Sequence, residues 1–198
     1  MAVDKRNSEK YHLIIDAAVT VIAKHGYHHA QVSKIAKEAG VADGTIYLYF
    51  KNKEDILISL FRLKMGTFIT TIEKRLETCF DAKEKLRFLV EMHLSQLAEQ
   101  PDLAVVTQLE LRQSARELRL KINDVLKGYV QVMENVIDEG KAEGIFQEQL
   151  DTKLARQMLF GTLDEIVTNW VMKEGKFDLE SLSQETYHML LTGFQKSS

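Results

Sequence analysis

The sequence predicts an all-α protein in two parts, three N-terminal helices followed by a larger helical body. Three observations predict it. The 198 residues include ten glycines and one proline, Pro101, too few breaks for a sheet that must turn often. Apolar residues recur at three- and four-residue spacing, the period of a helix with one buried face. A hydrophobic content of 45% against 28% charged residues supports a substantial core and excludes a compositionally disordered chain.

Asn7 and Ser8 are candidate caps for a first helix whose stripe is Leu13, Ile14, Ala17, Ala18, Val21 and Ile22; Gly26 is expected to end it. A second helix, about 32–39, shows Val32, Ile35, Ala36 and Ala39 on one face and stops at Gly40, where a positive φ is easily adopted. A third spans about 43–49, and Asn52 with Asp55 three residues on has the spacing of a cap for a long fourth. Two short helices joined by a tight glycine turn and braced by a longer one make a helix-turn-helix. Helices are then expected over about 53–78, 82–99, 103–112, 115–139, 152–173 and 179–193, with breaks at Asp81, Pro101, Ser114, 140–144 and Gly175. The expected division is a helix-turn-helix domain over 1–52 and a helical domain over 53–198.

The net charge of −3 conceals an asymmetry. Residues 1–53 carry eight Lys/Arg against five Asp/Glu, and residues 54–198 carry 18 against 24. A basic head on an acidic body points weakly to a polyanionic partner. A lone cysteine, Cys79, forms no intramolecular disulfide, and no charged-then-apolar leader opens the sequence, so a cytoplasmic location is expected. The most apolar stretch, 154–172, is interrupted by Arg156, Asp164 and Glu165, so no membrane partner is expected. His25, His28 and His29 have ligand-like spacing, but Gly26 interrupts the helix that would align them; they are expected at the surface, with Tyr27 packing beneath and no metal. Nucleophile elbow, P-loop and dinucleotide fingerprint are all missing, and His93 beside Ser95 has no assured orienting acid, so no enzyme is expected.

The segment IAKEAGVADGTIYLYFKNKEDIL, 35–57, resembles the DNA-binding signature of the TetR family of bacterial transcriptional regulators. Ile35, Ala36, Val41, Ile46 and Phe50 would fill its small core, and Gly44 would let backbone approach a phosphate. Thr45, Tyr47, Leu48 and Tyr49 are then left on or near the exposed part of a helix short enough to enter a major groove end-on. Tyrosine hydroxyls bond phosphate while the rings pack on sugar or thymine methyl; the other reading of Tyr47 is a core position. Lys53, at a helix N-terminus, is a candidate phosphate clamp, and Ser33, Lys34 and the arm residues Lys5, Arg6 and Lys10 are further candidates. The chain departs from the family at Gln31 and Ala42, where a capping hydroxyl is common, and at Asp43, where relatives are often basic.

One small head reads few base pairs, so pairing two heads across a twofold axis on a palindromic DNA operator is expected. The helix over 154–172 is apolar around more than half its circumference, and with the last helix it is the candidate four-helix seam of a homodimer. Met158, Leu159, Leu163, Val167, Trp170, Tyr187 and Leu191 are its candidate residues. In the family the central helices enclose a ligand cavity whose occupation changes the spacing of the two heads. Leu60, Met65, Phe68, Met92, Leu109 and Met133 are candidate lining residues, long and apolar, though each is equally plausible as plain core.

In ELRQSARELRLK, 110–121, Ser114 and Glu117 have capping-box spacing, and Arg116 and Arg119 fall in the opening turns, where the helix dipole disfavours cations. Together with Arg112 they would hold an anion, phosphates in particular, or else form surface ion pairs with Glu110 and Glu117. TQLELRQS, ELRLKINDVLKGY and LARQMLFGTLDEIVTNWVM resemble the branch of the TetR family that represses fatty-acid degradation. That resemblance implies a repressor released from its operator by long-chain acyl-CoA, an effector rather than a cofactor. The alternative is a TetR-type repressor of an efflux pump that senses a hydrophobic drug.

Overall fold

The computed structural model describes residues 8–196, in which nine α-helices follow one another. They are α1 (Glu9–His29), α2 (Val32–Glu38), α3 (Asp43–Tyr49), α4 (Lys53–Leu76), α5 (Ala82–Glu99), α6 (Pro101–Glu110), α7 (Arg116–Ala142), α8 (Thr152–Met172) and α9 (Ser183–Phe194). The expected all-α class is the observed one. Asn7, Lys5 and Arg6 lie outside the described residues.

Side chains start several of these helices. Ser8 Oγ accepts the Tyr11 N–H of α1 at 3.3 Å. Asn52 Oδ1 accepts the Asp55 N–H at 2.8 Å, while Asp55 Oδ2 accepts the Lys51 N–H at 2.9 Å, a reciprocal cap on α4. Asp81 and Glu84 cap α5 in the same reciprocal way, Asp81 Oδ1 taking the Glu84 N–H and Glu84 Oε2 the Phe80 N–H, each at 2.8 Å. Asp151 starts α8 by accepting the Leu154 N–H at 2.8 Å. Gln31 and Ala42 give α2 and α3 no side-chain cap bond, so these short helices depend on packing.

Several boundaries differ from expectation, and α7 runs through Gly140 to Ala142 although a break was expected over 140–144. Gly26 leaves helical geometry (φ 72°, ψ 154°), but helical turns resume beyond it, so it kinks α1 instead of ending it. Pro101 begins α6, since a first-turn residue needs no N–H donor. The start of α7 falls at Arg116, with the Ala115 carbonyl accepting the Arg119 N–H at 3.0 Å. A 3-10 turn, Glu180–Leu182, precedes α9 where one continuous helix was expected.

The chain forms two compact units. The first comprises the residues up to Gly66 together with Val105–Val125. Ile14, Ile15 and Ile22 of α1, Ile35 and Ala36 of α2, Ile46 and Phe50 around α3, and Ile56 and Leu57 of α4 are buried in it. Tyr11 stacks on Phe50 with ring centroids 5.0 Å apart, joining α1 to the end of α3. Gly40, at φ 66°, makes the tight turn after α2, and the Val41 N–H closes back on the Ala36 carbonyl at 2.9 Å.

The second unit comprises Thr67–Ala104 and the residues from Leu126 onward. In it α5 packs on α8 and α9. Leu86, Leu89, Val90 and Leu94 of α5, Leu159, Leu163 and Val167 of α8, and Tyr187 and Leu190 of α9 are its buried side chains. The α7–α8 connection pairs with the end of α9 through a single antiparallel bridge, Phe146 to Gln195, and Phe146 meets Phe194 edge-on at 6.0 Å.

Candidate nucleic-acid interface and sensor

Burial of Ile46 and Phe50 orients α3. With those two positions turned inward, Asp43, Gly44, Tyr47 and Leu48 face outward, Tyr47 59% and Leu48 63% exposed. Tyr47 is therefore a surface residue and not a core one. Tyr49 is half-buried, its ring 6.5 Å from Tyr11 and 6.4 Å from Phe50, and Thr45 is half-buried too. A Cβ placed on Gly44 would meet nothing within 4 Å, so the backbone there is open to an incoming group. Ser33 and Lys34 are exposed on α2.

Lys53 departs from expectation. Its Nζ donates to the carbonyls of Tyr27 at 2.9 Å and His28 at 3.0 Å and lies 4.7 Å from the Tyr27 ring centroid. Two of its three donors are thus committed inside the protein, tying the start of α4 to the kinked end of α1. His28 and His29 are exposed and His25 half-buried, while Tyr27 is buried. Among the described residues no group of three or more His, Cys, Asp or Glu is placed to hold a metal.

The 110–119 segment is built around Glu110. Its Oε1 accepts the Tyr27 N–H at 2.7 Å, and its Oε2 accepts from Gln113 Nε2 at 2.6 Å. The carboxylate thereby satisfies a backbone donor that the Gly26 kink frees from helical pairing. Arg119, expected to hold an anion or an ion pair, has Nη1 donating to the carbonyls of Gln113 at 3.0 Å and Ser114 at 3.3 Å, closing the connection between α6 and α7. Arg112 and Arg116 are exposed.

The apolar candidates divide by surroundings. Leu60 and Met133 are wholly buried and Phe68 nearly so, Met65 and Met92 are half-buried, and Leu109 is exposed and unsuited to an enclosed lining. His93, set aside as a catalytic candidate for want of an orienting acid, is buried on α5 with Nδ1 2.8 Å from the Tyr129 hydroxyl and its ring edge-on to Phe68. Desolvation lowers its pKa to about 4, so the imidazole is neutral at pH 7. The signal was its place on the apolar stripe Leu86, Leu89, Val90, His93 and Leu94, where a polar side chain must find partners.

The proposed seam residues require correction. Leu159, Leu163 and Val167 are completely buried within the chain itself, and Trp170 and Tyr187 nearly so. Trp170 Nε1 donates to the Phe177 carbonyl at 2.9 Å and its ring covers Gly175. Of the seven, Met158 is half exposed at 50% and Leu191 partly so. The open face of α8 is instead Leu154, Met158, Gly161, Glu165 and Met172, and that of α9 includes His188 and Met189. Both faces of α8 carry apolar residues, so its composition could not tell inner from outer.

Two family models account for most of the chain: the N-terminal domain of bacterial regulatory proteins of the tetR family over residues 14–60, and the C-terminal region of YsiA-like proteins over 61–193. The chain belongs to the TetR family. A fatty acid metabolism regulator protein of Bacillus subtilis is 58% identical over 189 residues, 96% of this chain and 97% of that one. The structure of the fatty acid degradation regulator FadR from Bacillus halodurans matches with a TM-score of 0.90 and 62% identity, over 92% of this chain and 98% of that one. The crystal structure of FadR from Bacillus subtilis in complex with stearoyl-CoA matches with a TM-score of 0.90 and 58% identity, over the same shares. As a TetR-family regulator the chain is a DNA-binding protein and not an enzyme. No helix among the described residues is long and apolar enough to cross a membrane.

Proposed function

We propose that this protein is a cytoplasmic, homodimeric repressor of fatty-acid degradation genes, released from a palindromic DNA operator when long-chain acyl-CoA binds. The observation that carries this reading is the 58% identity, across nearly the whole chain, to a fatty acid metabolism regulator whose counterpart has been crystallised with stearoyl-CoA. Residues 1–52 supply the DNA-reading function and 53–198 the effector and pairing functions. Tyr47, Leu48 and the open backbone at Gly44 meet the groove, with Thr45 and Tyr49 at its margin and Ser33 and Lys34 on the flanking phosphates. Lys53 positions the head through its two carbonyl bonds and offers its remaining donor to a phosphate.

Leu60 and Met65 in the first unit and Phe68, Met92 and Met133 in the second are the candidates for contact with the acyl chain, and Arg112 and Arg116 are those for the CoA phosphates. Arg119 holds the segment that carries them. The subunits pair through the outward stripes of α8 and α9, with Met158 and Met189 at the centre.

Fluorescence anisotropy on a labelled palindromic operator tests the reading. Stearoyl-CoA should release the DNA at low micromolar concentration, whereas free CoA and hydrophobic cationic dyes should not. Arg112→Ala with Arg116→Ala should raise the required stearoyl-CoA at least tenfold without changing operator affinity. Release by dyes and not by stearoyl-CoA would transfer the protein to drug sensing.

A further inference from the structure

Among the described residues, two buried side-chain polar atoms have no hydrogen-bond partner: Nε2 of His93 and Oε1 of Gln96, both shut off from solvent. Three positions apart on α5, they lie on one face of the helix. The other side of the His93 ring is fixed by the Tyr129 hydroxyl, 2.8 Å from Nδ1, and Phe68 and Phe160 stand around this pair with ring centroids 5.1 and 6.4 Å from that of Tyr129.

The protonation pattern follows from counting donors. If Tyr129 donates its proton to Nδ1, the imidazole proton sits on Nε2 and only that N–H is left over. The opposite assignment would strand both the tyrosine proton and an Nε2 lone pair. His93 and Gln96 therefore present one donor and one acceptor from the same helix face, the donor beside the rings of Phe68 and Tyr129. Buried polar groups are paired almost without exception, so a matched couple left open is a site waiting for a group from outside the chain.

The geometry points to His93 Nε2 and Gln96 Oε1 as a recognition pair for an effector group that both accepts and donates a hydrogen bond. Two features of an acyl-CoA have that chemistry, a hydroxyl on the acyl chain and a secondary amide of the pantetheine arm. The inference rests on the acyl-CoA reading above, and it adds that the site reads a polar group as well as chain length. Phe68, already assigned to the acyl chain, contacts His93 edge-on and places the pair within that site.

Calorimetric titration of the full-length protein with stearoyl-CoA and 3-hydroxystearoyl-CoA separates the two sources. Gln96→Met keeps the side-chain length and removes the acceptor. A second variant, His93→Phe with Tyr129→Phe, removes the donor without stranding the tyrosine hydroxyl. If the pair takes the pantetheine amide, both variants weaken both ligands by about tenfold. If it takes a chain hydroxyl, the unaltered protein prefers the 3-hydroxy ligand by about tenfold and either variant abolishes that preference. Unchanged affinities for both ligands in the two variants would overturn the proposal and leave the pair solvated by trapped water only. Failure of the unaltered protein to bind either ligand would instead refute the acyl-CoA reading.

Discussion

Tyr47 and Tyr49 sit two positions apart on the same seven-residue helix in opposite surroundings, and their substitutions should separate accordingly. Tyr47 is mostly exposed, so Tyr47→Ala should weaken operator binding about tenfold with an unchanged melting temperature. Tyr49 leans on Tyr11 and Phe50, so Tyr49→Ala should also lower stability by about 1 kcal/mol. Anisotropy and thermal melts on the same samples check both. Glu110→Ala should cost about 1–3 kcal/mol in a denaturant titration, because the Tyr27 N–H loses its acceptor. Glu110→Gln, which retains an acceptor, should cost less. His93 sets a pH dependence. Its folded pKa of about 4 lies below the ordinary 6.5, so between these values the unfolded chain holds a proton that the folded chain does not. Stability is complete above pH 6.5 and falls by about 3 kcal/mol toward pH 4, and the His93→Phe, Tyr129→Phe variant should lose that part of the slope. Outward positions on α3 were legible because Ile46 and Phe50 fix its inner face. The partners of Glu110 and Lys53 were not, since they lie 83 and about 26 positions away in the chain, and no local pattern encodes such a meeting.

At the scale of elements, Asn52 caps α4 as its spacing with Asp55 implies, and the 82–99 helix begins and ends where expected, the break at Asp81 being its cap. α8 shows where periodicity runs out. Ala155, Leu159, Leu163 and Val167 turn inward, while Leu154, Met158 and Met172 turn outward, so two apolar stripes share one helix and hydrophobicity alone cannot rank them. The outward stripe yields a prediction: Met158→Glu with Met189→Glu should give a folded monomer by light scattering and reduce operator affinity at least a hundredfold, because a lone head loses its partner half-site. Leu163→Glu should instead unfold the chain. The end of α7 offers an independent check of packing. A Cβ at Gly140 would overlap the Phe146 ring, so Gly140→Ala should destabilise by about 1–3 kcal/mol. Gly161→Ala, with nothing within 4 Å of its Cβ, should not destabilise the subunit.

For the molecule as a whole, the N-terminal helix-turn-helix was legible in the compact signature around Gly40. Less legible was that 105–125, far along the chain, belongs to the same compact unit as the N-terminal helices. Glu110 holds Tyr27, and Lys121 Nζ meets Glu54 Oε1 at 2.6 Å. Arg112 and Arg116 thus stand in the same compact unit as α3, two and six positions from Glu110, whose carboxylate accepts the Tyr27 N–H of α1. A ligand that prefers one arrangement of this segment shifts operator affinity by its differential binding, and the operator opposes the ligand by the same factor. Native mass spectrometry of the protein with operator duplex and stearoyl-CoA together tests this most directly. Two populations are expected, a dimer on DNA without ligand and a dimer with ligand and no DNA, exchanging as stearoyl-CoA rises. A dominant ternary complex of dimer, operator and stearoyl-CoA would contradict it.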